Sequence, residues 1–141
     1  MSKPSISREV RERVRAQADD RCGYCLSPQH LVLGKLEIEH IIPTAHDGLD
    51  DEENLWLSCR LCNSAKGTQT EGRDPETGQT VRLFDPRRQV WHEHFTWSDD
   101  GSRVLGLTPC GRATILALQL NNLIAVMVRD HWTAAGWHPP K

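Results

Sequence analysis

Apolar positions recur at helical spacing at both ends of the chain and alternate only in a short stretch between. Ile6, Val10, Val14 and Ala18 fall every fourth residue, which predicts a helix over residues 8–18 capped by Ser7. Its opposite face carries Arg8, Glu9, Arg11, Glu12, Arg13 and Arg15, a solvated face with local ion pairs or, alternatively, a phosphate-contacting arm. Leu36, Ile38 and His40 then alternate with Glu37, Glu39 and Ile41, predicting a strand over residues 35–42 that Pro43 ends. Residues 44–53 form an acidic surface loop around Gly48, with His46 facing solvent, and residues 54–57 return as a second strand. Ser58 is placed to cap a helix that begins near Arg60 and stops at Gly67.

Beyond this strand, loop, strand, helix order, residues 68–80 read as a polar connection, the least ordered internal part of the chain. Asp85-Pro86 has the form of an N-cap followed by the first residue of a short helix reaching His92. Phe95-Thr-Trp97 and residues 103–107 flank Asp100-Gly101 and predict a hairpin. His92 and His94, beside Trp91 and Phe95, read as partly buried polar residues. Thr108-Pro109 opens an aliphatic segment that Asn121-Asn122 divides into two helices ending near Trp132. Its plain reading is a hydrophobic clamp over the fold; the alternative is a partner surface, with a homodimer through the C-terminal helices as the specific form.

At 141 residues the chain suits one domain with a modest core. No apolar run approaches the ~20 residues of a membrane span, and the amino-terminal residues lack the apolar stretch of a secretory signal. The expected compartment is therefore the cytoplasm, where thiols stay reduced. A net charge of −2 argues against coating nucleic acid by bulk electrostatics but leaves room for a local basic groove.

In a reducing compartment five cysteines change the picture, because paired Cys-x-x-Cys motifs are then metal ligands in preference to disulfides. Cys22-Gly-Tyr-Cys25 and Cys59-Arg-Leu-Cys62 supply four thiolates, which satisfy tetrahedral zinc and leave no open position for substrate. Such a zinc is structural. Cys110 is left over as a small, at least partly buried apolar residue, and His30 is not needed as a ligand. The spacing between the pairs exceeds that of small zinc ribbons, and the insert carries Glu39, His40 and Asn54.

Glu39-His40-Ile-Ile-Pro43, then Asn54, then Cys62-Asn63-x-x-Lys66, framed by the cysteine pairs, resembles the HNH endonuclease family. The segments from Leu83-Phe84-Asp85-Pro86 onward also resemble the carboxyl-terminal part of small bacterial proteins of that family, with no established role attached. The resemblance implies an α+β fold: a ββα-metal finger stapled by a four-cysteine zinc site, with an N-terminal helix and a C-terminal extension of a hairpin plus helices. It implies a single domain over residues 1–141, with its core at 21–67 and the extension at 81–135. The implied activity is hydrolysis of DNA phosphodiester bonds with one divalent metal, leaving 5′-phosphate and 3′-hydroxyl ends.

Within that frame His40 is the general base, Asn54 orients the loop that bears it, and Lys66, with Arg60, holds a phosphate oxygen. Glu39 and Asn63 supply hard oxygen ligands for Mg²⁺ or Mn²⁺. Glu39 and His40 are neighbours, so a regular strand would send them to opposite faces, with Glu37 beside Glu39, and the metal assignment would fall. Both reach one site only where the strand ends or bulges. The rival readings are a zinc-stabilised nucleic-acid-binding or interaction module without catalysis, and a nuclease directed at RNA.

Overall fold

The computed structural model describes residues 6–140. The first helix, α1 (Arg8–Gln17), forms where the fourfold spacing requires it: Ser7 Oγ accepts from Val10 N, and Val14 is fully buried. The chain then turns through Asp19 and Asp20, both left-handed at φ +54°, into the Cys22–Cys25 knuckle. Strand β1 (Glu37–His40) pairs antiparallel with β2 (Leu55–Ser58) in unbroken register, from Glu37 opposite Ser58 to His40 opposite Leu55. Helix α2 (Arg60–Lys66) follows directly. The result is the ββα order expected.

Strand β1 is shorter than residues 35–42 for a specific reason. Ile41 N still donates to Asn54 O at 2.8 Å, but Ile42 N donates to the Asn54 side chain instead, and the ladder ends there. The cap of α2 also differs from expectation. Cys59 holds the cap position, its Sγ accepting from Cys62 N at 3.5 Å, while Ser58 is fully buried with its hydroxyl 4.0 Å from Cys22 Sγ. A cysteine caps because the knuckle has already turned its sulfur toward the helix start.

The connection expected over residues 68–80 is ordered. Strands β3 (Glu71–Arg73) and β4 (Thr80–Arg82) pair antiparallel, and their turn is organised by Asp74, whose side chain is fully buried. It accepts from Arg112 Nε and Nη2 at 2.9 and 3.0 Å, from the Thr77 hydroxyl at 2.7 Å and from Glu76 N at 3.0 Å. Pattern reading missed this because polar residues carry the turn and the buried charge finds its partner 38 residues later. Asp85-Pro86 likewise opens only a turn, with Asp85 Oδ1 accepting from Arg87 N and Arg88 N. The helix itself, α3 (Trp91–His94), starts later.

The hairpin β5 (Phe95–Trp97) with β6 (Val104–Gly106) forms as read, and α4 (Pro109–Leu118) and α5 (Leu123–Ala134) follow. Asn122 caps α5 by accepting from Ala125 N, and Asn121 brackets the backbone N–H and C=O of Val104 at 2.8 Å each. The clamp is provided by α4, which buries Ala113, Thr114 and Leu118, whereas the buried residue of α5 is Arg129. Leu123, Ile124 and Met127 stand out in solvent at 85, 62 and 53% exposure. No single helix among the described residues is long and apolar enough to cross a membrane.

One core cluster joins Cys22, Tyr24, Cys25 and Cys62 to Phe84, Trp91, Phe95, Val104 and Leu118. Trp91 Nε1 donates to Tyr24 O at 2.8 Å across it. The cysteine knuckles and the C-terminal extension therefore share one interior.

The Arg112 guanidinium holds the Asp74 carboxyl far below the usual carboxylate range, aided by Thr77 and the Glu76 N–H and opposed by burial. The folded value is depressed, so its stabilisation is complete above the unfolded value of ~3.9 and fades as pH falls toward the folded one. Asp74→Asn is expected to lower the thermal unfolding midpoint at pH 7, with the gap from wild type narrowing as pH drops from about 4 to 2. An unchanged gap over that interval would contradict the ion pair's role.

Candidate active site and metal centre

The four sulfur atoms of Cys22, Cys25, Cys59 and Cys62 all lie within 4.8 Å of one another, with Cys25 and Cys59 at 3.7 Å. Four thiolates at ~2.3 Å from a tetrahedral zinc stand ~3.8 Å apart, so the cluster is compatible with zinc. Burial pushes the Cys22 thiol well up, while hydrogen bonds from Cys22, Cys59 and Cys62 bring Cys25 well down. A cation held by the four sulfurs would keep them deprotonated. The nearby positive charge is Arg129, buried on α5, which donates to Leu120 O at 2.6 Å and Ser102 O at 3.1 Å and lies over the Trp97 ring. Burial lowers its pKa and the charge of the four cysteines opposes that.

At the far end of β1, His40 Nε2 is 2.7 Å from Asp50 Oδ1. The loop that carries Asp50 is fastened by Asn54, whose Oδ1 accepts from Ile42 N and whose Nδ2 donates to Ile42 O and Leu49 O, at 2.8 to 3.0 Å. Gly48 is required there, since a Cβ would collide with the Ile42 carbonyl. Asn54 thus fixes the backbone on both sides of the His40–Asp50 pair. Asp50 was missed in the sequence, where it stands in an acidic run with nothing in the spacing to pick it out.

The other face of β1 looks at α2. Asn63 Nδ2 donates to Glu37 Oε1 at 2.9 Å, and Glu39 Oε1 accepts from the Tyr24 hydroxyl at 2.8 Å and lies 2.7 Å from Lys66 Nζ. Lys66 also donates to His40 O and Ile41 O at 3.0 and 2.9 Å. Its side chain is 3% exposed, so the ammonium is committed inward and is not offered to a phosphate, contrary to the role read from the sequence. Burial pushes the Glu39 carboxyl up against the opposing pull of Lys66.

Strand β1 stays regular through His40, so Glu39 and His40 leave opposite faces. The structure brings Glu37, Glu39, Asn63 and Lys66 together on one side and His40, Asp50 and Asn54 on the other. A divalent ion shared directly by Glu39 and His40 does not follow. Glu39 Oε2 is nevertheless buried without a partner among the described residues, which is costly for an anionic oxygen. Asn63 Oδ1 and Glu37, on the same side of β1, are hard oxygens of the type that Mg²⁺ or Mn²⁺ takes. Sequence reading had not counted Glu37 as a ligand, although its alternation with Glu39 places both on one face.

His30, His46 and His92 are exposed. His94 is half-buried and bonded to Thr108 and Gln89. Cys110 is half-buried too, and burial pushes its thiol up.

A small zinc-compatible ββα unit with a histidine at the end of its first strand and an asparagine in its helix defines a class of nuclease fold. Residues 22–69 match the family model described as HNH endonuclease, and this part of the chain is an HNH domain. No curated protein and no solved structure matches the chain.

Zinc is expected at one equivalent per chain by elemental analysis. Cys62→Ser, or prolonged treatment with a strong chelator, should remove it and most of the ~5–15 kcal/mol that holds a domain of this size folded. A chelated chain that keeps its melting transition would rule out a stabilising metal there.

Proposed function

We propose that the protein is a metal-dependent endonuclease that hydrolyses DNA phosphodiester bonds, with His40 as general base. The observation that carries this reading is the His40–Asp50 pair, held at the end of β1 in a loop that Asn54 fastens at three points. With Nε2–H donating to the Asp50 carboxylate, Nδ1 of a neutral imidazole is the atom left to take a proton from water. Asp50 fixes the ring and stabilises the imidazolium that forms, as a carboxylate does behind a catalytic histidine. Asn54 keeps the loop geometry and does not react.

Glu39 Oε2, Asn63 Oδ1 and Glu37 are the groups that would hold Mg²⁺ or Mn²⁺. A bound ion supplies neutralisation of phosphate charge and stabilisation of the leaving oxygen. Lys66 positions the site through its bonds to the carbonyls of His40 and Ile41, and it balances the charge of the Glu39 carboxylate.

Zinc-loaded protein with Mg²⁺ or Mn²⁺ should convert supercoiled plasmid to nicked or linear form. His40→Ala should cut ~10²–10⁴-fold more slowly, and Asp50→Asn should lose less and keep measurable activity. Unchanged cleavage by His40→Ala would overturn the assignment of the base. Folded protein that leaves plasmid intact but degrades RNA would move the substrate to RNA. Protein that binds nucleic acid and cuts neither would be a zinc-stabilised binding module.

The exposed row Leu123, Ile124 and Met127 on α5 supports association of two copies through the C-terminal helices, which would place two sites on one duplex. Light scattering should then show twice the monomer mass, reverting to monomer for Ile124→Glu. A monomer across a broad concentration range would remove the dimer and leave nicking as the reaction.

A further inference from the structure

A cavity of about 570 Å³ lies between the end of β1 and the C-terminal extension, within the ~300–1,000 Å³ range of ligand sites. Ile41 and Ile42, the two residues after His40, line it together with Lys66. Val81, Leu83, Phe84 and Pro109 add further apolar lining. At one edge the cavity turns polar, where Gln89, His94 and Thr108 meet.

The hydrogen bonds at that edge fix its donors. Gln89 Oε1 accepts from Asp85 N at 2.7 Å, so the amide orientation is set and Nε2 faces His94 Nε2 at 3.3 Å. An amide nitrogen only donates, so His94 Nε2 accepts and Nδ1 carries the proton. Nδ1 therefore donates to Thr108 Oγ1 at 2.7 Å, which also accepts from Gly111 N at 3.0 Å. Both lone pairs of the hydroxyl are used, and its hydrogen is left for a ligand in the cavity that Thr108 lines. Arg88 is tied to Asp85 and to Glu53 O. Arg82, exposed on β4 at the same cavity, makes no ion pair or hydrogen bond among the described residues.

We propose that this cavity is a subsite for one nucleobase of the substrate strand next to the cleaved phosphate, with Arg82 on the adjoining phosphate. The proposal rests on the nuclease reading above. Apolar walls with a polar edge suit a flat heterocycle, whose faces want apolar contact and whose rim offers acceptors to the Thr108 hydroxyl. A bare phosphate has no use for the walls, and an aliphatic ligand has none for the edge or the unpaired guanidinium. Its position next to the residues that follow His40 places a base taken from the stack within reach of the same strand's reacting phosphate.

The test uses the full chain, zinc-loaded, as His40→Ala so that the substrate survives. Oligonucleotides spanning a cleavage point mapped with wild type carry 2-aminopurine, or an abasic residue, at one position at a time. One position should show a severalfold fluorescence change on binding, and loss of the base there should weaken binding about tenfold. Arg82→Ala should weaken binding to intact strands and have little further effect on the strand abasic at that position. Equal binding of every abasic strand, with 2-aminopurine silent throughout, would overturn the subsite while leaving the nuclease intact. Failure to bind or cut any nucleic acid would overturn both readings. Saturable binding of a free nucleoside monophosphate that does not compete with the oligonucleotide would assign the cavity to a separate effector and also overturn the proposal.

Discussion

Four sulfur atoms drawn into one cluster are the constraint on which the rest of the molecule depends. The two knuckles lie far apart in sequence, with 34 residues from Cys25 to Cys59, and everything with chemistry in the HNH segment lies between or just after them. A four-residue, two-stranded ladder cannot hold such a segment, because an isolated pair of short strands is marginal in water. The cluster closes the loop. It also sits inside the apolar cluster that Phe84, Trp91 and Phe95 complete, so the extension is the other half of the interior that surrounds the knuckles.

From the cluster, position passes to the site through a short buried polar chain. Tyr24 lies within the first knuckle, and its hydroxyl donates to Glu39; burial and the Glu39 charge push the phenol well up, so it remains a donor. Lys66 ends the helix that the second knuckle starts, and it bridges Glu39 to the backbone carbonyls of His40 and Ile41. A buried ion pair of this sort adds little net stability, since desolvation offsets its attraction. What it adds is register. With both knuckles fixed, the tyrosine and the lysine set where Glu39 stands, and the same lysine sets the backbone from which His40 projects.

The sequence made the cysteine cluster, the ββα order, the capped first helix, the second hairpin and the Asn122 cap legible, because each is written in local spacing. Asp50 and Asp74 were not legible. Both are acids in polar runs, and their partners, His40 and Arg112, become neighbours only when loops fold back. Lys66 was assigned the wrong direction for a related reason: a lysine in the second turn of a helix after a knuckle can face outward or inward, and only the packing of α2 on β1 decides. The exposure of α5 was also hidden. Its aliphatic composition reads as core, but the face that reaches the interior carries Arg129, and the space beside the thiolates is taken by a guanidinium in place of a leucine.

The alternation of β1 has a consequence for where chemistry can occur. Glu39 looks inward to α2 and His40 outward to Asp50, so a site using both cannot lie over either face of the strand. The two faces adjoin at the strand's end, where the ladder stops at Ile41 and Ile42 turns to Asn54. There the His40–Asp50 pair lies on one side of the backbone and the Glu39–Lys66 pair on the other. Asn54 is what ends the ladder at that residue and not one later, and a strand continued by one further pair would bury the gap between the two faces. The asparagine therefore sets the backbone beside the His40–Asp50 pair by deciding where β1 stops.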